Sequence, residues 1–491
     1  MHCGEGLDVA VCRKRVPHLA GLLVLALQAC APLPPRQATQ VALTVPTAWS
    51  VAGPSGPASA TSLAQWWTRF DDPLLSGLVS QALQANTRVS SAQAALRQAR
   101  ALRDVTAAGL QPTVGGSASA QRSRSGHNSA NNNFRAGLDA SWEPDIFGAE
   151  RSALDASEAT ARASAATLGD VQVSIAAEVA LGYIALRNAQ ARLAIANDSL
   201  DSQLETAQIT QWRLQAGLLS SLEGEQSRAA TEQTRAQLPA LQSSIEQTAH
   251  ALAVLTGQPP VALSALLAET RPVPQVATDL ALAIPAETLR QRPDVRAAEQ
   301  QVSAAIARVA ETDAARLPSF KLSGSLGLSA LTLGSLTSGA SVVSALAAGV
   351  SLPVFDGGAA RARVRADQAA LDQASSAYRA AVLAALKDVE DALIALRGDR
   401  ERLARLQLAA EASANAALLA RQRFSSGLVD FQTVLDTQRS QLSTQDGVAN
   451  ARADVSADHV RLYKALGGGW HPDDSDASAG PTVGEPRTPN S

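Results

Sequence analysis

Few residues of this 491-residue chain have the types and spacing that chemistry needs. All three cysteines, Cys3, Cys12 and Cys30, lie within the first thirty positions, so a chain cleaved there keeps neither an internal disulfide nor a cysteine nucleophile. The six histidines, His2, His18, His127, His250, His459 and His471, have no metal-ligand spacing, and no HExxH, Walker A or GxSxG pattern occurs. The motifs therefore give no support to an enzyme and imply no cofactor. Two charged residues stand one helical turn apart, Asp436 and Arg439 in "VLDTQR". Taken alone they make an i,i+3 surface pair worth ~0.3 kcal/mol. Two glycine pairs, Gly217-Leu218 and Gly427-Leu428, interrupt long polar-apolar stretches, and glycine tolerates a tight reversal between helices. A formal net charge of −3 argues against nucleic acid as a partner.

The spacing of these residues reveals a repeat. The tetrapeptide Ile184-Ala185-Leu186-Arg187 returns as Ile394-Ala395-Leu396-Arg397, and Gly217-Leu218 returns as Gly427-Leu428 at the same offset. Pro144 and Gly148 of "EPDIFG" match Pro353 and Gly357 of "LPVFDGG". Val89 and Pro112 match Val295 and Pro318. The offset drifts only from 206 to 210, so the chain holds two tandem copies of a unit of roughly 200 residues. Their expected limits are 62–270 and 271–470.

Each copy must position its residues on long helices. No proline occurs between Asp145 and Leu238 or between Val354 and His471, and both stretches have helical periodicity. In the second, Val382, Val389, Leu396 and Leu403 recur every seven residues with Leu386 and Leu393 between them, a coiled-coil seam. Alanines such as Ala366, Ala369, Ala370 and Ala377 fill other faces, while Lys387, Asp388, Glu390 and Asp391 read as a solvated face. A helix from about 358 to 424 would run ~100 Å, far more than a bilayer requires.

Between the helical parts lie segments of period two. Phe134, Ala136, Leu138, Ala140 and Trp142 alternate with polar residues, as do Phe320, Leu322, Leu326 and Leu328. Val114, Ala118 and Ala120 suggest a weaker strand, and Leu346, Ala348, Val350 and Leu352 a clearer one. Hairpins are expected at about 112–146 and 318–356, with turn-rich loops at 121–133 and 329–344. Hairpins on a soluble core would show the same alternation, but no lysine or arginine falls on the apolar positions, which favours lipid. Four strands cannot close a transmembrane barrel, so several chains must share one.

The N-terminus has a charged stretch, Arg13-Lys14-Arg15, then the apolar run from Leu19 to Leu27 and "LQAC". This reads as a signal peptide over 1–29, too short to span a bilayer. Its end resembles a bacterial lipoprotein signal, which would make Cys30 the lipidated first residue; Gln28 stands where a small or β-branched residue is usual. An ordinary signal peptide with an incidental cysteine is the alternative. Residues 30–61 read as an extended linker and 471–491 as a disordered tail.

The ordered set "WWTRFDDPLL", "LQPTV", "WEPDIFG", "RLQAGL", "AVLTGQPP", "RPDVRAAE", "LPVFDGG" and "LDTQRSQL" resembles the outer-membrane factors of tripartite efflux systems, in their lipoprotein branch. The resemblance implies a mainly α chain with a transmembrane β-barrel: a homotrimer in which four strands per chain make a 12-stranded barrel and long helices make a periplasmic tunnel. It implies an exit duct for small molecules, lodged in outer-membrane lipid, that meets a periplasmic membrane-fusion adaptor and an inner-membrane RND pump. Gly217-Leu218 and Gly427-Leu428 would be the tips where the adaptor docks. Asp436 would ring the closed periplasmic gate, three per trimer, with Arg439 beside it; the first copy has Gln226 and Ala229 there. The duct of a protein-secretion system, or a periplasmic adaptor or structural lipoprotein without membrane strands, are the alternatives.

Overall fold

The computed structural model describes residues 63–124, 126, 130–276 and 291–470. The expected signal peptide, Cys30, the linker up to 61 and the tail lie outside the described residues. In chain order the elements are α1 (Pro73–Ala85), α2 (Thr87–Gly109), β1 (Thr113–Ser123), β2 (Asn131–Trp142), α3 (Ala149–Gln215), α4 (Ser221–Leu255), α5 (Pro293–Ala314), β3 (Ser319–Ala330), β4 (Val342–Ser351), α6 (Ala359–Ser425) and α7 (Phe431–Ala465). The duplication is visible in the lengths. Helices α3 and α6 have 67 residues each, and α4 and α7 have 35 each. At 1.5 Å per residue the longer pair run ~100 Å.

The chain divides into two compact units. The first carries one antiparallel sheet in the order β1-β2-β3-β4. Its register aligns the apolar positions laterally: Ala118 faces Ala136, Ala136 faces Leu328, Leu138 faces Leu326, and Phe320 faces Val350. Side chains alternate across a strand, so these residues share one face. That face is exposed, with Leu138 at 56%, Leu326 at 59% and Leu346 at 80%. The opposite face is polar; Ser117 Oγ donates to Asp139 Oδ2 at 3.0 Å. The loops are shorter than the alternation suggests, because Gln121, Arg122 and Ser123 pair with Asn133, Asn132 and Asn131. Backbone pairing needs no apolar alternation, so polar residues extend the hairpin.

An aspartate links each hairpin to its long helix. Asp145 accepts from the backbone N–H groups of Glu150 and Arg151, and Asp356 from those of Gly358 and Ala360. Both satisfy donors that a helix start leaves open.

The second unit is helical, with a large apolar core. Val382, Val389, Leu393 and Leu396 of the predicted seam are buried in it, with Leu386 and Leu403 packed against it. Trp66, wholly buried, stacks on Tyr463 at 5.5 Å and meets Trp67 and Phe70 edge-on. This seals the end of α7 against the "WWTRF" turn. An 18-residue window of α3 is apolar enough to cross a bilayer, but over half of it is buried in the fold, which marks it as core. The solvated face expected on α6 is only partly so. Lys387 and Asp391 pair in solvent, whereas Asp388 accepts from Arg292, a guanidinium only 10% exposed.

Candidate functional site

The helical reversals are built alike in both copies. Gly217 (φ 71°) and Gly427 (φ 75°) follow α3 and α6 in the left-handed conformation that glycine adopts without a Cβ penalty. The N–H of Gly217 bonds to Leu214 C=O at 3.0 Å, and that of Leu218 to Arg213 C=O at 2.8 Å. Gly427 to Phe424 and Leu428 to Arg423, both at 2.9 Å, repeat the pattern. These paired bonds are the glycine helix stop in which two orphan carbonyls are satisfied. The following helices are capped at once. Ser220 and Glu223 form a reciprocal capping box on α4, and Asp430 accepts from Thr433 N–H at 2.9 Å on α7. Hydrogen bonds from Ser220 and Thr433 hold the Glu223 and Asp430 carboxyls below their ordinary values.

The reversals end in exposed leucines, Leu218 at 72% and Leu428 at 73%. Beneath them Phe424, Phe431, Val434, Leu435, Ala230 and Ala420 form a second, smaller apolar cluster. Arg213 joins the two hairpins: its guanidinium lies 4.5 Å over the Phe424 ring and donates to Ser425 C=O at 2.9 Å. The four residues Gly217, Leu218, Gly427 and Leu428 thus sit on two fused tips of matched geometry.

The predicted pair on α7 is not brought together. Asp436 is exposed and accepts from Gln432 Nε2 at 2.9 Å. Arg439 points along a groove of about 610 Å³ between the hairpins, which it lines with Arg192, Gln203 and Asp446. Among the described residues no ion pair joins Asp436 to Arg439. Deeper along α7, Gln438 donates to Thr206 Oγ1 of α3 at 3.0 Å, Arg192 to Asp446 at 2.6 Å, and Asn188 to Asn450 at 2.9 Å. This polar ladder fixes α3 against α7 and leaves Asp436 exposed, two residues beyond its last rung. Sequence reasoning missed the ladder, because its members are ordinary surface residue types. Among the described residues no cluster of three or more metal-binding side chains occurs.

The model of the family described as "Outer membrane efflux protein" matches residues 78–258 and again 284–468, one match for each copy. The pyoverdine export outer membrane protein OpmQ of Pseudomonas putida is 34% identical over 468 residues, covering 92% of this chain and 97% of that protein. The solvent efflux pump outer membrane protein SrpC, also of Pseudomonas putida, is 30% identical, covering 84% and 88%. Among solved structures, the outer-membrane channel OprN superposes with a TM-score of 0.82 at 35% identity, covering 90% of this chain and all of that one. The open state of the Neisseria gonorrhoeae MtrE outer membrane channel gives a TM-score of 0.80 at 28% identity, with coverage of 90% and 98%.

Proposed function

This chain belongs to the outer membrane efflux protein family, and from that premise we propose that three copies share one exit duct, gated by Asp436 and met by an adaptor at the tips. It is an outer-membrane efflux channel. The observation that carries the assembly is the sheet itself. Its four strands expose an apolar face, while β1 and β4 stand at its two edges, each with every residue exposed. In lipid an unpaired edge leaves backbone N–H and C=O groups without partners, each costing several kcal/mol. Closure through β1 of one copy and β4 of the next removes both edges, and three copies give twelve strands. The related channels named for pyoverdine export and solvent efflux support small organic compounds as cargo. Cys30, carrying lipid, would be the tether to the membrane. The tips of α3–α4 and α6–α7 fit an adaptor: one exposed leucine on each glycine turn, two turns per chain and six around a trimer. An inner-membrane RND pump completes the system.

The test of assembly is the mass and symmetry of the detergent-extracted protein as single particles. A three-fold particle is expected, and a monomer overturns the reading. For the gate, three Asp436 carboxylates around an axis would attract cations and repel one another. Asp436→Ala with Arg439→Ala should raise the conductance of the closed channel in planar bilayers several-fold. Unchanged conductance would remove both residues from the gate.

A further inference from the structure

Asp458 is the most deeply buried carboxylate of α7, with 1% of its side chain exposed. One oxygen, Oδ1, accepts from Arg461 at 2.5 Å. The other, Oδ2, is buried and has no hydrogen-bond donor among the described residues. A buried oxygen left without a donor carries a desolvation cost that native folds rarely tolerate.

The antiparallel register of α6 and α7 shows what lies opposite. Ser413 meets Thr444 at 2.6 Å, Arg402 meets Asp454 at 3.1 Å, and Arg400 meets His459 at 2.9 Å. Each pair of numbers sums to within two of 857, and so does the next pair in the ladder, Asp399 with Asp458. Its carboxyl lies within hydrogen-bonding reach of Asp458. Two carboxyl groups in contact, one of them dry, cannot both be ionised without strong repulsion. A single proton cures both defects: it supplies the missing donor and removes one charge.

The surrounding charges do not supply a substitute. Arg402 lies 3.6 Å from Asp399 but is shared with Asp454, and Arg402 itself is half in water. On the cavity side of about 410 Å³, Asp458 looks towards Asp170 of α3, Asp388 and Asp391 of α6, and Arg292 and Asp294 at the start of α5, with Lys464 further along α7. Arg292 is already committed to Asp294 at 2.7 Å and Asp388 at 3.3 Å. The balance on this side is therefore acidic, which favours holding a proton.

We propose that Asp399 and Asp458 share one proton and form a proton-operated clasp between α6 and α7, closed when the proton is held and loosened when two facing carboxylates replace it. Burial first, and Asp399 after it, push the Asp458 carboxyl up to about 6 against the pull of Arg461. Burial and Asp294 likewise raise Asp170. The clasp sits 22 residues from Asp436 on the same helix, ~33 Å at helical rise. It therefore acts on the hairpin that carries the Gly427 tip and the candidate gate, where the first copy has no such pair.

The sign is fixed by linkage. Between the ordinary carboxyl value of 3.8 and about 6 the folded chain holds a proton that the unfolded chain has lost, so stability falls as pH rises through that window and is level above it. The experiment is infrared titration of the full chain in detergent from pH 7.5 to 5.0, following the protonated-carboxyl band. One proton per chain should be taken up with a midpoint near pH 6. Uptake should vanish in Asp458→Asn and shift at least tenfold in proton affinity in Asp399→Asn, while His459→Gln keeps it. The thermal midpoint should fall from pH 5.0 to 7.5 in the natural chain and stay level in Asp458→Asn. Should Asp458→Asn fail to fold, the partly exposed Asp399 position still decides. Uptake unchanged in Asp399→Asn, or none above pH 5, overturns the clasp.

Discussion

Residues 184–187 and 394–397 are the same tetrapeptide at equivalent places on two helices of equal length, and the leucine is buried in both, yet the arginines have opposite surroundings. Arg187 is wholly buried: it donates to Gln190 Oε1 at 2.7 Å and to Glu269 C=O at 2.5 Å, and its guanidinium lies 4.8 Å over the Tyr183 ring. Tyr183 in turn donates to Asp72, and burial followed by this bond raises its phenol to about 12. Arg397 is exposed, and so is half of Ile394. The burial of Arg187 comes from the segment beyond its hairpin. After α4 the chain turns at Gly257 and folds a one-turn helix, Ser264–Leu267, back over α3, where Leu267 C=O also accepts from Gln190. The helix's own residues therefore do not decide whether its arginine is core or surface; the next segment does.

Arg187→Ala should break the comparison hardest. It strands two buried acceptors and opens a cavity, a loss of about 2–4 kcal/mol. Arg397→Ala should lie within about 0.5 kcal/mol of the natural chain. Denaturant unfolding of both variants in detergent is the check, and equal losses would mean that the neighbouring copies bury Arg397. Arg187→Met sharpens the point. Among the described residues Nε and Nη2 of Arg187 have no hydrogen-bond acceptor, so an apolar chain of similar length should recover at least half of the loss.

The tips make the converse case, since there the copies agree. A Cβ added to Gly217 or Gly427 would meet no heavy atom within 4 Å, so only the left-handed backbone resists a side chain. Gly217→Ala and Gly427→Ala should each cost about 1–2 kcal/mol, and by nearly the same amount. Unequal costs, measured by thermal unfolding, would show that one tip bends in response while the other is held.

The long helices, the seam, the strand faces and both glycine turns were legible because each follows from local periodicity or from a backbone conformation that one residue type prefers. Asp436 and Arg439 were legible only as a motif. Their spacing says that they share a helix face, yet Asp436 accepts from Gln432 while Arg439 lines the groove beside Asp446. Asp458 and the ladder from Asn188 to Thr206 left no sequence signal. A buried carboxylate has the same letters around it as an exposed one, and its state is set by residues nearly sixty positions away on the returning helix.

The smallest effect tests whether the two matched tips act as one body. Arg213 belongs to the first copy but rests on Phe424 and Ser425 of the second. A half-exposed cation over a ring, with one hydrogen bond to a carbonyl, is worth about 0.5–1 kcal/mol. Arg213→Ala should therefore lower stability by that amount and, more tellingly, raise amide exchange at both 214–220 and 424–430. Arg213→Lys keeps the charge but loses the planar stacking, so it should restore less than half of the protection. Faster exchange at the first tip alone would mean that the apolar cluster of Phe424, Phe431 and Val434 holds the second tip unaided, and that the copies are joined lower down by the α3–α7 ladder.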